Sequence, residues 1–243
     1  MKHSIRLLLA VLIFLVLPVT VYAETYRMTE TDLSVQVDSS IWYVFTRDNI
    51  ENNAELEELG ISYDAMRSIL YENNVYMDAV LYYDNGEYIE LYVRKTPQTS
   101  GLANLSNYSD DDVLEFAAAL AKNQDAQVYS VHKNEYKFSR VEYLDANAEL
   151  YVCEFITIVN KNNYTFTFQS SFEFGDLEYE EIESIIDSIQ FDIDPAIKEQ
   201  NNASFGETAL KGAIGGAIIG GISGGVIALV NKNKRKKSAE EVN

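Results

Sequence analysis

The sequence predicts an α+β fold, an antiparallel sheet packed with helices, plus one C-terminal transmembrane helix. Three observations carry this reading. The runs 150–159 and 164–170 are rich in β-branched and aromatic residues and are joined by a short polar connection, as paired strands are. Elsewhere apolar residues recur at helical spacing, as in Ile182, Ile185, Ile186 and Ile189, the narrow stripe of a helix with one buried face. Finally, residues 212–230 form a stretch of nineteen residues without a charge.

Residues 1–23 have the three parts of a secretory signal. Lys2, His3 and Arg6 make a positive start, residues 7–17 an apolar centre, and Val21-Tyr22-Ala23 a small-x-small exit. Cleavage after Ala23 makes Glu24 the first mature residue; an uncleaved signal anchor is the alternative reading. No cysteine follows the exit, which excludes a lipoprotein anchor.

The domain proper is expected over residues 24–191. Residues 32–38 alternate apolar and polar, and 41–45 continue as a second strand after a short turn. Leu56 and Leu59 precede Gly60, a helix stop. Ser62 is placed to cap a helix carrying Met66, Ile69 and Leu70. The runs 75–83 and 88–93 read as a hairpin through Asp84-Asn85-Gly86-Glu87, where Asn-Gly supplies the two positive φ angles of a tight turn. Along the second run, Ile89, Leu91 and Val93 share one face.

Ser109-Asp110-Asp111-Asp112 precedes a helix with Val113, Phe116, Ala117, Leu120 and Ala121 on one side. Three carboxylates in a row invite a calcium reading. Ser109 at the N-cap and Asp112 three residues later fit a capping box instead, and no Asp-x-Asp-x-Asp-Gly loop accompanies them. Residues 128–132 and 136–143 are further strands. In the last long strand Tyr164, Phe166 and Phe168 point one way, and Thr165, Thr167 and Gln169 the other. A helix over 178–189 closes the domain.

Residues 192–211 read as a polar tether to the span 212–230. At about 1.5 Å per residue that span reaches roughly 28 Å, close to a bilayer's hydrocarbon thickness. Beyond it, the tail 231–243 carries Lys232, Lys234, Arg235, Lys236 and Lys237. Positive charge stays on the cytoplasmic side, so the tail is expected inside and the domain outside, single-pass in the cell membrane. The signal segment implies the same orientation. Within the span Gly212, Gly216, Gly220 and Gly224 recur every fourth position, and Gly221 and Gly225 repeat the spacing one residue along. Such a glycine zipper leaves a groove in which a second helix packs closely, through self-association or a partner protein; an ordinary anchor is the alternative.

Between Glu24 and Lys211 there are 36 acidic and 12 basic residues. A phosphate backbone would be repelled, so no nucleic-acid partner is expected. The lone cysteine, Cys153, sits in an apolar run and reads as a buried small hydrophobe. His132 is the single histidine after the signal, too few for a histidine-based metal site. No nucleophile elbow and no phosphate-cradling glycine loop occur, and no cofactor is expected. A triad through His132 stays open, because triads are spatial. Asn104, Asn107, Asn163 and Asn202 each satisfy Asn-x-Ser/Thr. The tyrosines Tyr82, Tyr83, Tyr88 and Tyr92 around the hairpin make either a ligand surface or a sheet covered by a helix.

Residues 34–42 form a short strand and turn running into Trp42-Tyr43-Val44, 151–171 a long hairpin, and Ile182-Glu-Ser-Ile-Ile-Asp-Ser-Ile-Gln-Phe191 a helix with a small closing strand. This order resembles the PsbP-like α/β/α sandwich over residues 32–191. Leu59-Gly60-Ile61 with Asn74-Val75-Tyr76-Met77-Asp78-Ala79 resembles membrane-anchored extracytoplasmic proteins of Gram-positive bacteria. Members of the wider fold are mostly non-enzymatic accessory subunits or binding partners. The resemblance implies that general role only, since the ion and partner residues of the photosynthetic subunits have no counterpart here. The expectation is therefore a membrane-anchored, extracytoplasmic, non-enzymatic accessory or binding domain. The alternative is an extracytoplasmic hydrolase whose site is not visible in sequence.

Overall fold

A computed structural model describes residues 23–51, 53–98, 102–121, 124–192 and 230. Ten strands fall into two antiparallel sheets. The larger has the order β3-β4-β5-β9-β8-β7-β6 and the smaller β1-β2-β10. The strands are β1 (Ala23–Met28), β2 (Leu33–Asp38), β3 (Trp42–Thr46), β4 (Val75–Tyr82) and β5 (Tyr88–Pro97), then β6 (Ala126–Lys133), β7 (Tyr136–Asp145), β8 (Leu150–Val159), β9 (Asn162–Ser170) and β10 (Gln190–Phe191). The helices are α1 (Ala54–Glu58), α2 (Tyr63–Glu72), α3 (Asp110–Leu120) and α4 (Asp176–Asp187).

The α+β expectation with antiparallel sheets holds, and the layers follow from strand alternation. On one face of the large sheet Leu91, Val93, Phe155, Phe166 and Phe168 pack with Ile182, Ile185 and Ile186 of α4 and Leu33, Val35 and Val37 of β2. On the other face α1 and α2 bring Leu56, Met66 and Leu70 against Phe45, Val75, Val80 and Tyr92. Further along that face Val113 and Phe116 of α3 cover Ile156 and Ile158. Closing strand β10 pairs with β2 through Phe191 and Leu33. The small sheet is fastened to the large one where the Tyr164 hydroxyl donates to the Thr31 carbonyl at 2.9 Å.

The helix starts follow their caps. Ser62 accepts from the Ala65 amide at 3.3 Å. At α3 the Ser109 hydroxyl accepts from the Asp112 amide while the Asp112 carboxylate accepts from the Ser109 amide, the reciprocal pairing that satisfies two orphan donors. Arg47 closes the other end of α2. Its guanidinium donates to the Leu70 and Val75 carbonyls at 2.9 and 2.8 Å and stacks on the rings of Tyr71 and Tyr76.

Two local expectations are corrected. Strand β1 is not expected from the sequence; it runs beside β2 with four of its six residues exposed, so its side chains carry little apolar pattern. The β4–β5 turn does not use two positive φ angles. Only Gly86 has one, at 88°, and the Gly86 amide donates to the Tyr83 carbonyl at 2.9 Å. Asp84 and Asn85 thus sit inside the turn and Gly86 follows it, the longer hairpin connection with one left-handed residue. The two-residue turn with both φ positive belongs to β8–β9, where Asn160 has 48° and Lys161 61°.

The span 212–230 lies outside the described residues apart from Val230, as do residues 1–22 and the tail. Among the described residues no helix is long and apolar enough to cross a membrane.

Candidate functional site

Two places carry polar chemistry in unusual settings. The first is a charged stripe across the middle of the helix-covered face of the large sheet. Alternation in β5 turns Ile89, Leu91 and Val93 to the apolar face, so Glu90, Tyr92 and Arg94 point the other way. Register aligns Glu90 with Gln169, Tyr92 with Thr167 and Asp78, and Thr167 with Glu154. Asp78, Glu90, Arg94, Glu154, Thr167 and Gln169 are all buried.

Within the stripe Thr167 acts as a relay. Its hydroxyl accepts from the Arg94 guanidinium at 3.0 Å and donates to Glu154 Oε1 at 3.0 Å, and Arg94 lies 3.7 Å from the same carboxylate oxygen. The Gln169 amide donates to Glu90 at 2.8 Å and to the Tyr92 hydroxyl at 3.2 Å. Burial lowers the pKa of Arg94 while Glu154 opposes the shift. Burial, then the charges of Glu90 and Asp78, push Tyr92 well above its ordinary value. Charges placed here cost desolvation, so a core that keeps them breaks the usual rule for burial.

The second place is an open cavity of about 500 Å³ where the β2–β3 turn, the β3 edge and α1 meet. Tyr43 of β3 and Tyr82 of β4 stand on the same face, with ring centroids 6.1 Å apart in an edge-on arrangement. Glu55 and Glu58, three residues apart on α1, complete the wall together with Ile41 and Ser40. The Tyr43 hydroxyl donates to Glu58 at 3.0 Å, and that bond is the main reason its pKa is raised. Burial raises Glu55 above the usual carboxylate range, against a backbone hydrogen bond at Val44, and the charges of Glu58 and Glu24 add to the rise. The sequence singles out only Tyr82 of the cavity and Tyr92 of the stripe, as members of the hairpin tyrosines. The residues of the two places come from segments far apart in the chain, and on each strand the polar alternation looks like a solvent face.

The residues singled out from the sequence are placed as follows. Gly212, Gly216, Gly220, Gly221, Gly224 and Gly225 lie outside the described residues. Tyr82, Tyr88 and Tyr92 lie on the face packed by α1 and α2; Tyr92 is fully buried there, whereas Tyr82 also lines the cavity beside β3. Tyr83 points to the other face, edge-on to Phe172. Cys153 is fully buried among the aromatic residues of the main core, and burial raises its thiol pKa strongly.

His132 is exposed, its Nε2 2.7 Å from Asp110 Oδ1. The same oxygen accepts from Lys137 Nζ at 3.0 Å and from the Ser130 hydroxyl at 3.4 Å. The carboxylate therefore stands in the middle of the cluster, whereas a nucleophile relay needs the imidazole there. Lys137 first and His132 second hold the Asp110 carboxyl below its ordinary pKa. Among the described residues no group of three His, Cys, Asp or Glu is arranged to hold a metal ion. Of the glycosylation sequons, Asn163 is buried and accepts from Gln98, Asn104 binds the Asn160 amide, and Asn107 is exposed.

No protein-family model matches the chain, and no curated protein is similar to it. Among solved structures it is similar to the solution structure of cyanobacterial PsbP (CyanoP) from Synechocystis sp. PCC 6803, with a TM-score of 0.40 and 11% identity, over 72% of this chain and 95% of that one.

Proposed function

We propose that this chain is a membrane-anchored extracytoplasmic binding domain, a non-enzymatic accessory or sensing module for a ligand or protein outside the membrane. The observation that carries the binding role is the cavity beside β3, where two tyrosine rings and two carboxylates converge on about 500 Å³ of open space. A concave site of this size, with aromatic rings beside a few directed polar groups, is a form that ligand sites take. It lies beside β3, which among the described residues is an edge strand of the large sheet. The anchored topology rests on the sequence: a signal segment, a nineteen-residue uncharged span and a basic tail. The four-residue glycine spacing supports assembly of that span with a second copy or with a partner's helix.

Two measurements test this reading. Val230 is the one described residue of the span, and it is buried with Phe45, Val80 and Tyr92, a contact a bilayer-embedded span would give up. Alkaline carbonate extraction of membranes is expected to leave the full-length chain in the pellet; release into the supernatant would overturn the anchor. Cross-linking in intact membranes is expected to recover a stoichiometric protein partner or a homo-oligomer. The Gly216→Ile/Gly220→Ile variant should lose association made through the span, and unchanged association removes the glycine groove from the proposal.

A further inference from the structure

We infer that the cavity beside β3 binds a primary alkylammonium group carried on a short apolar stem. This rests on the binding role proposed above and adds the chemical class of the ligand.

Charge comes first. Glu55 and Glu58 reach the cavity from one face of α1, and none of the described residues lining it is basic. Glu24 adds a third negative charge near Glu55. An anion is repelled at such a wall, and a cation relieves the mutual repulsion of the carboxylates. Burial, with the charges of Glu58 and Glu24, raises the Glu55 pKa, and an ammonium beside the carboxylate opposes that rise.

The walls then select the kind of cation. The rings of Tyr43 and Tyr82 stand on the cavity side of the sheet with Ile41 at the rim, and Ile41 is 46% exposed. Aromatic faces attract organic cations, and an apolar wall favours a carbon stem over a bare hydrated ion. Finally, the polar groups are acceptors in need of donors. A carboxylate accepts several hydrogen bonds, and Tyr43 supplies one to Glu58. The hydroxyls of Ser39 and Ser40 offer more acceptor sites. A primary ammonium brings three N–H donors, whereas a quaternary ammonium brings none.

The test uses the full-length protein in mild detergent, with n-pentylammonium chloride as probe and 1-pentanol as its neutral counterpart. Isothermal titration calorimetry reads occupancy, because the indole of Trp42, the chain's single tryptophan, is buried in the core on the opposite face of β3 and donates to Glu181 at 3.0 Å. The expected result is saturable binding of pentylammonium about tenfold tighter than pentanol, the scale of one charge-assisted hydrogen bond. Glu58→Gln removes one charge at an exposed position and should erase most of that preference. Glu55→Gln should weaken it as well, with the far-ultraviolet spectrum of each variant unchanged. Equal binding of pentanol, or a preference untouched by both variants, overturns the cation assignment and leaves a binding cavity. Tetramethylammonium binding as tightly as pentylammonium overturns the primary-amine assignment. If neither probe binds while cross-linking still recovers a partner, the inference fails and the binding role stands. If neither probe binds and no partner is recovered, both fail.

Discussion

The two faces of the seven-stranded sheet are about equally buried and chemically unlike. On one, Leu91, Val93, Phe155, Phe166 and Phe168 meet the small sheet and α4 with hydrocarbon against hydrocarbon. On the other, Glu90, Arg94, Glu154, Thr167 and Gln169 sit in the same strands, as deeply placed and polar. The first face is a store of stability, since each large ring removed from water stabilises by about 1.5–3 kcal/mol. The second holds groups whose burial is favourable only while their partners stay in place. Stability and specificity are thus divided between opposite sides of single strands.

The largest expected effect is on the apolar side. Phe166→Ala removes a fully buried ring that lies edge-on to Phe138. It should cost about 3–5 kcal/mol in denaturant unfolding of the full-length chain. A loss under about 1 kcal/mol, well below the usual range for such a truncation, would mean that this face is not the main store.

The polar side should respond differently to single and paired changes. Glu154→Leu removes the carboxylate that faces Arg94 and Thr167, and should cost about 3 kcal/mol. Arg94→Met combined with Glu154→Leu replaces both members with apolar groups, and should be more stable than the single variant by about 1–3 kcal/mol. A double variant no better than the single one breaks the comparison, because the stripe would then be integral to packing and not a separable set of charges.

The cover of that face offers a smaller effect. Ser109→Ala removes the cap of α3 and should cost about 1 kcal/mol, read as a lower midpoint with unchanged slope. The loss should appear first as faster amide exchange over α3, the helix that covers Ile156 and Ile158, and not over α4 on the opposite face. Uniform exchange across both helices would contradict the separation of the two covers.

This division explains what sequence reading reaches. The Ser109 box, the isoleucine stripe and the Tyr164/Phe166/Phe168 face are local patterns, and each marks its element, although the last helix runs over Asp176–Asp187 and leaves Ile189 beyond its end. Long-range covering is not local. Thr165, Thr167 and Gln169 alternate with aromatic residues as a solvent face would, yet all three are buried, because helices from distant upstream segments pack on that face of the sheet. The β8–β9 hairpin pairs as expected, but its turn is two residues, 160 and 161, and not the four between the expected runs. Lys161 has no intrinsic preference for a positive φ, so the register of two long strands imposes the turn, whereas Asn-Gly advertised one that the β4–β5 hairpin does not use. The cavity joins Ile41, Glu55 and Tyr82, which share no motif.

The smallest expected effect separates the faces by proton affinity. Tyr88 and Tyr83 are both pushed up to about 12, in each case first by burial. The charge that adds to the shift differs: Glu90 for Tyr88 on the polar face, Glu178 for Tyr83 on the apolar one. Both values are raised in the folded state, so the neutral phenol is favoured there. That stability is fully present below the unfolded tyrosine pKa of about 10 and is lost as pH rises toward the folded value. Alkaline unfolding should therefore begin between those limits. With ring-labelled tyrosine, Glu90→Gln should lower the titration midpoint of Tyr88 and leave Tyr83 in place, and Glu178→Gln should do the reverse. If either substitution moves both tyrosines, the field of the buried stripe crosses the sheet, and the two faces are electrostatically one.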